Sequence, residues 1–283
     1  MRENLAEMPV RDNPEGNSNE TPDQLPVPRA LVPQLSEIAI LLDIDGTLLD
    51  LMPTPREVWV PPGLSNTLNG LLRRTSGALA LVSGRSLNDI DLIFAPDQFA
   101  AVGGHGAEMR LSPDSEAVAS HAPPMDKELK RRLAAIAKLS PGILLEDKGY
   151  SLALHYRLAP QAEQAIYQAV SQIRADLPEA PIEVLPGKFV CEIKHSGFTK
   201  ATGVRELMKR EPFKGRRPIF IGDDVTDEAA FAVMPEFGGI GFSVGRAIDG
   251  IAGTFETPGD VRRWIADIVA AQSEKGLTQK EAR

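Results

Sequence analysis

Charged and hydroxyl side chains follow several predicted strands of this 283-residue chain, or stand where a predicted helix begins. The segment "AILLDID" ends in Asp43 and Asp45, although acidic residues are rarely buried without a partner. Three other clusters have the same placement: Ser83 and Arg85 in "VSGR", Lys200 in "GFTK", and Asp223, Asp224 and Asp227 in "GDDVTDE". Any one cluster is compatible with a helix cap, but four at the same end of one sheet favour a shared site.

The side chains of these clusters are those that phosphoryl transfer requires. Asp43, the Asp45 region and Asp223 supply the hard oxygen ligands that Mg²⁺ prefers. Ser83 adds a hydrogen-bond donor, and Lys200 adds a fixed positive charge. One aspartate can attack phosphorus and form an aspartyl-phosphate, while a second protonates the leaving oxygen. The clusters therefore predict a magnesium-dependent site that stabilises a transferring phosphoryl group.

The order of the elements predicts a sheet that brings these clusters together. Strand patterns occur in "EIAILLDID", "GALALVSGR", "FAAVGGHGAE", "PIFIGDD" and "GGIGFSVG", and helical patterns separate most of them. Short buried strands that alternate with helices indicate a doubly wound parallel sheet, the Rossmann-like class of α/β fold. Ligands of such sheets bind beyond the carboxyl ends of the strands, which is where the clusters stand.

The middle of the chain has a different pattern. Residues 125–139 are an amphipathic helix, "SLALHYRL" is an alternating strand, "QAEQAIYQAVSQIRADL" is a second helix, and "IEVLPGKFVCEIK" is two strands around a Pro-Gly turn. We predict a small inserted α+β cap domain at residues 113–197 and a core domain made of residues 31–112 and 198–272. Residues 1–30 hold five prolines and are predicted to be a disordered tail, and residues 273–283 a flexible C-terminus.

The composition excludes several functional classes. The formal net charge of −8 argues against nucleic acid or an anionic membrane as a partner, but leaves a small anionic substrate open. Cys191 is the single cysteine, which excludes a disulfide framework and a Cys-rich metal site. The sequence contains neither an apolar signal region nor a run of about 18 apolar residues. We therefore expect a cytoplasmic monomer that binds a small molecule.

The motifs "DIDGT", "VSGR", Lys200 and "GDDVTDE" resemble, in this order, the four motifs of the haloacid dehalogenase-like phosphatase superfamily. The resemblance extends from residue 37 to about residue 245. It implies that Asp43 is the nucleophile and Asp45 the general acid and base. It further implies a Mg²⁺ site made of Asp43, the backbone carbonyl of Asp45 and Asp223, completed or oriented by Asp224 and Asp227, and phosphoryl oxygens held by Ser83 and Lys200.

Within this superfamily, the chain resembles the trehalose-6-phosphate phosphatases through "GGHGAE", "EDKGYSLALHYR", "GKFVCEIK" and "FIGDDVTDE". The insertion between the second and third motifs is similar to the α/β cap of that family. The segment "KHSGFTK" departs from the family's more familiar third motif, so Lys194 stands as the alternative to Lys200. The resemblance implies hydrolysis of trehalose 6-phosphate, the last step of trehalose biosynthesis.

Charged side chains near turns are candidates for binding the sugar, because charge-assisted hydrogen bonds discriminate well among hydroxyl-rich ligands. Glycines beside His105 permit the close approach of a ligand, and Arg85 follows the phosphate-binding Ser83. The resemblance places Lys188 and Glu192 on the cap surface that faces the core. The predicted substrate-binding residues are Arg85, His105, Glu146, Lys148, Lys188 and Glu192, whereas a structural role is predicted for His155 and Arg157.

Three alternatives stay open on the sequence alone. A phosphatase of another sugar phosphate, of the sucrose-phosphate or mannosylglycerate type, would share the chemistry and differ in the cap. A phosphomutase would transfer the phosphoryl group instead of hydrolysing it, and the motifs do not exclude this. An inactive sugar-phosphate sensor would lack a nucleophile, a metal ligand or the lysine, and none of these is missing from the sequence.

Overall fold

The computed structural model describes residues 34–52, 57–115, 122–187 and 189–271. The predicted tails at 1–30 and 273–283 lie outside the described residues, and so does Lys188. The described strands form two sheets, one of seven strands and one of four. We call the larger sheet with its helices the core, and the smaller sheet with its helices the cap. The domain boundaries at residues 113 and 197 stay a prediction.

The core sheet is parallel except at one edge. Its strands are β1 (Ile38–Leu42), β2 (Leu79–Val82), β3 (Ala100–Gly103), β4 (Glu108–Arg110), β9 (Arg217–Gly222), β10 (Ile240–Val244) and β11 (Gly253–Phe255). Their order in the sheet is β11-β10-β9-β1-β2-β3-β4, and only the pairing of β4 with β3 is antiparallel.

Helices cover both faces of the core sheet. One face packs against α1 (Leu64–Arg74), α2 (Leu87–Phe94) and α7 (Pro258–Ala270), and the other against α5 (Lys200–Leu207) and α6 (Val225–Val233). Successive side chains of β1 point to opposite faces of the sheet. Ile40 and Leu42 belong to the apolar cluster on the first face, and Leu41 belongs to the cluster on the second. Both faces are apolar because both are buried. The prediction of a doubly wound sheet is confirmed.

The cap is an antiparallel sheet with helices on one face. Its strands are β5 (Leu144–Asp147), β6 (Ser151–His155), β7 (Ile182–Gly187) and β8 (Val190–His195), in the order β5-β6-β8-β7. The helices α3 (Lys127–Ile136) and α4 (Glu163–Asp176) bury the apolar side chains of this sheet, including Leu152, Leu154 and Cys191. The prediction of an inserted α+β unit is confirmed. Among the described residues, no helix is long and apolar enough to cross a membrane.

Substitution of a buried cap leucine tests this packing. Leu133 of α3 has no exposed surface, so Leu133→Ala should lower the free energy of unfolding by about 2–5 kcal/mol through lost burial and a residual cavity. The control Leu158→Ala removes a side chain that is 75% exposed and should change it by about 0.5 kcal/mol or less. Urea denaturation measures both, and equal effects would contradict the cap core described above.

Candidate active site

Asp43 and Lys200 meet at the carboxyl end of the core sheet. Asp43 directly follows β1, and its backbone N–H donates to the carbonyl of Ile221 in the neighbouring β9 (2.9 Å). Lys200 is the first residue of α5, whose start is fixed by reciprocal hydrogen bonds between Thr199 and Thr202. The Lys200 Nζ lies 2.9 Å from Asp43 Oδ1, and both residues are 3% exposed. The fold therefore brings together residues 43 and 200, which are 157 positions apart in the sequence.

Asp227 holds the lysine from the other side. Its Oδ1 accepts a hydrogen bond from Lys200 Nζ (2.6 Å), and its Oδ2 accepts from the backbone N–H groups of Asp223 (3.0 Å) and Asp224 (2.9 Å). Asp227 has no exposed surface. Both of its carboxylate oxygens are thus used to join the start of α6 to Lys200.

The charges of this group do not balance. Carboxylate oxygens of Asp43, Asp223 and Asp227 lie within 4.8 Å of one another, and Lys200 supplies one ammonium against these three carboxylates. Burial, and then repulsion by Asp227, raises the pKa of Asp43 well above its ordinary value and that of Asp223 to about 6. The pKa of Lys200 is raised although burial lowers it, because the carboxylates of Asp43 and Asp227 outweigh burial.

The tight turn after β1 allows Asp223 to approach. A Cβ atom at Gly46 would lie 2.0 Å from Asp223 Oδ2, and the φ of Gly46 is +77°, which disfavours side chains as well. The Thr47 hydroxyl, fully buried, donates to Asp223 Oδ1 (3.1 Å). Gly46 and Thr47 therefore fix the distance between the first and fourth motifs.

Three residues of the first and second motifs form a second group. Arg85 makes a bidentate ion pair with Asp45, with Nε at 2.5 Å and an Nη atom at 2.6 Å from the two carboxylate oxygens. Ser83 is 2% exposed, and its Oγ accepts a hydrogen bond from the backbone N–H of Arg85 (3.2 Å). Asp45, the predicted general acid, is therefore oriented by Arg85, one of the predicted substrate-binding residues.

His105 packs on the second motif. A Cβ atom at Gly84 would lie 2.5 Å from the imidazole ring, and the backbone N–H of His105 donates to the Ser83 carbonyl (3.1 Å). Burial lowers the pKa of His105 to about 4, against a smaller opposing effect of the Glu192 charge. The ring is thus neutral near pH 7 and offers one nitrogen donor and one acceptor.

A cavity of about 530 Å³ joins the core group to the cap. Its volume is in the range of small-molecule sites. The lining residues from the core include Asp43, Asp45, Ser83, Arg85, His105, Lys200, Asp223 and Asp224. Those from the cap are Glu146, Lys148, Ala153, His155, Val190 and Glu192. A larger cavity, of about 690 Å³, is lined mainly by apolar side chains near α3 and α4 and by none of the predicted site residues that the structure describes.

The cap side chains in the first cavity form two polar contacts. Glu146 Oε2 lies 2.9 Å from His155 Nε2, across the pairing of β5 with β6. Glu192 Oε1 accepts from the Ser151 hydroxyl (2.9 Å), and Lys148 Nζ lies 3.5 Å from the same oxygen. The polar face of the cap sheet therefore presents acidic and basic side chains to the cavity that it shares with the core.

The predicted catalytic and substrate-binding residues that the structure describes line this cavity, as do Asp223 and Asp224, whereas Asp227 is buried behind the lining. The sequence did not single out Thr47 or Ser151, and the structure also places His155, for which a structural role is predicted, in the lining of the cavity. The alternation of Ser151 and His155 with the apolar Leu152 and Leu154 could have indicated a polar strand face. Lys194, the alternative to Lys200, lies outside the cavity lining and pairs with Glu183 (2.8 Å).

The donor set fits a divalent cation. Asp43 and Asp223 contribute adjacent carboxylate oxygens with raised pKa values, so a cation between them would relieve repulsion. The oxygens of Asp227 are already occupied by three hydrogen bonds, as described above. The carboxylate of Asp224 is exposed and accepts from the backbone N–H of Val225 (2.7 Å), outside the group of three carboxylates. Its assignment as a ligand stays a prediction.

Comparison with known proteins agrees with these motifs. The family model described as trehalose-phosphatase matches residues 41–250. The chain belongs to the trehalose-phosphatase family. It is 35% identical over 249 residues to the trehalose-6-phosphate phosphatase of Escherichia coli, covering 88% of this chain and 93% of that relative. It is 42% identical over 218 residues to a probable trehalose-phosphate phosphatase of Sinorhizobium fredii, covering 76% and 81%.

The fold agrees with solved structures. A haloacid dehalogenase-like hydrolase from B. subtilis superposes with a TM-score of 0.58 at 13% identity, covering 82% of this chain and 98% of that chain. The predicted family is confirmed, and the chain is a phosphoric monoester hydrolase. The solved structure confirms the predicted fold. Family membership therefore favours a hydrolase over the phosphomutase and the inactive sensor that the sequence alone left open.

Two aspartates of the fourth motif differ in their surroundings, which gives a test. Asp227→Asn should lower the free energy of unfolding by about 1–3 kcal/mol, because an amide cannot accept from Lys200 and from two N–H groups at once. This loss exceeds the gain from weaker repulsion of Asp43. Asp224→Asn is the matched control, expected within about 0.5 kcal/mol, since asparagine caps a helix as well as aspartate. Equal losses in urea denaturation would contradict the bridging role.

Proposed function

We propose that the protein hydrolyses trehalose 6-phosphate to trehalose and phosphate in a magnesium-dependent reaction, through an aspartyl-phosphate on Asp43. The observation that carries the proposal is the shared cavity, in which the Asp43 and Lys200 group faces the charged sheet of the cap. The relatives from Escherichia coli and Sinorhizobium fredii are named a trehalose-6-phosphate phosphatase and a probable trehalose-phosphate phosphatase. The protein would then complete trehalose synthesis, and we propose that it does so as a cytoplasmic monomer.

The core residues supply the first half-reaction. An Asp43 oxygen attacks phosphorus, the bond from phosphorus to the sugar oxygen breaks, and the Asp45 carboxyl group gives its proton to that oxygen. The substrate phosphate competes with Asp45 for Arg85, which releases Asp45 for proton transfer. Lys200 keeps Asp43 in place and, with Ser83, donates to the phosphoryl oxygens.

The second half-reaction uses water. Asp45, now a carboxylate, removes a proton from the water that attacks phosphorus, and the bond between phosphorus and the Asp43 oxygen breaks. Asp43, Asp223 and the backbone carbonyl of Asp45 would hold Mg²⁺, which neutralises negative charge around the phosphoryl group when bound. Products are inorganic phosphate and free Asp43.

In this proposal, residues of the cap bind the sugar and determine which sugar is accepted. Glu146, Lys148 and Glu192 line the part of the cavity opposite the phosphate chemistry, where a disaccharide presents hydroxyls. The predicted contact of Lys188 lies outside the described residues. Binding energy from these contacts would hold the cap over the site and exclude water during transfer to Asp43.

A substrate panel tests the function. Phosphate release should have a kcat/KM for trehalose 6-phosphate about a hundredfold above those for sucrose 6-phosphate, glucose 6-phosphate and mannose 6-phosphate, because two lost sugar contacts have an effect of this order. Asp43→Asn is the control: it should bind trehalose 6-phosphate but release no phosphate, since an amide cannot form the acyl phosphate. Preference for another ester would reject the substrate, and residual turnover above a few per cent would reject the nucleophile.

Chelation tests the metal. EDTA should abolish phosphate release and Mg²⁺ should restore it, because the Asp43 and Asp223 carboxylates repel an incoming phosphate without a cation. Mg²⁺ should also raise the melting temperature of the apoprotein by binding only the folded state. In Asp223→Asn this thermal shift should need about tenfold more Mg²⁺, consistent with the loss of one ligand. Full activity after exhaustive chelation would contradict the metal dependence.

A further inference from the structure

Glu192 has one carboxylate oxygen held by the cap and one that is not. Its Oε1 accepts from the Ser151 hydroxyl at 2.9 Å and lies 3.5 Å from Lys148 Nζ. No hydrogen bond to Oε2 comes from the part of the chain that the structure describes. The side chain is 15% exposed and lines the cavity shared with the core. One oxygen is therefore fixed, while the other is available to a ligand.

Ser151 is placed to do the fixing. It has no exposed surface, and it begins β6 two residues before Ala153, which pairs with Glu192 in β8. A hydroxyl buried without an acceptor carries a desolvation cost, so the orientation of the Glu192 carboxylate that accepts from Ser151 is favoured over its other rotamers. A glutamate that is already oriented loses less side-chain entropy when a sugar binds.

The turn that carries Ser151 is itself tied down. The backbone N–H of Lys148 donates to the Ser151 carbonyl (3.0 Å), and Asp147 accepts from the Gly149 N–H (2.9 Å) while pairing with Lys130 (2.5 Å). Tyr150, between Gly149 and Ser151, is 4% exposed and packs against core residues beside His105. The position of the hydroxyl is thus fixed relative to the core as well as to the cap.

We propose that Ser151 is a positioning residue for substrate recognition, which orients Glu192 so that its free oxygen accepts a hydrogen bond from a sugar hydroxyl. The inference rests on the proposed function, and it adds a residue that touches no substrate itself. Ser151 acts through Glu192 alone. Its removal should therefore have no further effect once the glutamate side chain is gone.

A double-mutant cycle of Ser151→Ala and Glu192→Ala tests the inference. With trehalose 6-phosphate, Ser151→Ala should lower kcat/KM about fivefold to tenfold, the order of effect expected when one ordinary hydrogen bond is lost. The loss should be at least threefold smaller with p-nitrophenyl phosphate, a small ester that does not extend to the cap. In the Glu192→Ala background, Ser151→Ala should change kcat/KM by less than about twofold, because the two residues act as one unit.

Controls separate positioning from folding. Thr75→Val removes another fully buried hydroxyl, at the end of α1, and should leave kcat/KM unchanged. Ser151→Cys keeps the side-chain size with a weaker donor, so its kcat/KM should fall between those of the wild type and Ser151→Ala. An equal effect of Ser151→Ala in both backgrounds, equal losses on the two esters, or no loss at all would overturn the inference.

Failure of the proposed function has a different result. A wild-type protein that releases no phosphate from trehalose 6-phosphate would reject that substrate. The cycle is then measured with whichever sugar phosphate the wild type prefers in the panel. Coupling between Ser151 and Glu192 on that ester would still support the positioning role, and independence of the two would overturn it.

Discussion

The site depends on one buried ammonium shared by two buried carboxylates. Lys200 contacts Asp43 and Asp227 at hydrogen-bonding distance with almost no access to water. Removing charges from water is costly, so this arrangement needs accurate geometry and satisfied hydrogen bonds. The geometry comes from the sheet, because β1 and β9 are neighbours and their ends place Asp43 beside the start of α6. The excess negative charge fits a divalent cation, which in the proposed reaction would offset the charge between the carboxylates and an incoming phosphate.

In the proposed function, chemistry and sugar recognition are supplied by residues of different sheets. The ends of parallel strands hold the core residues rigidly, since each strand is buried on both faces. The cap sheet is buried on one face alone, so its other face is free to be polar and to line the cavity. The turn from Lys148 to Ser151 contacts both units, because Tyr150 packs against the core while the Ser151 hydroxyl donates to Glu192 of the cap.

The parts predictable from sequence are those set by burial and by strand polarity. The carboxyl ends of parallel strands meet at one edge of the sheet, so the sequence alone was enough to place Asp43, Ser83 and Asp223 together. Strand β5 was missed because all four of its residues are exposed and show no alternation. Strand β4 was also missed, since it has only three residues. The pairing of Asp45 with Arg85, and of Ser151 with Glu192, depends on rotamers and strand register, which composition and periodicity do not encode.

The reciprocal hydrogen bonds between Thr199 and Thr202 have a consequence for how the protein can be varied. They make Thr199 the N-cap of α5, directly before Lys200 and just after the short link that follows β8. The lysine is therefore anchored by a local motif that belongs wholly to the core side of that link. A cap from another sugar phosphatase, grafted on the β8 side of Thr199, would inherit the lysine in register. Under the proposed function, substrate choice would in that sense be modular, a separable part of an unchanged catalytic core.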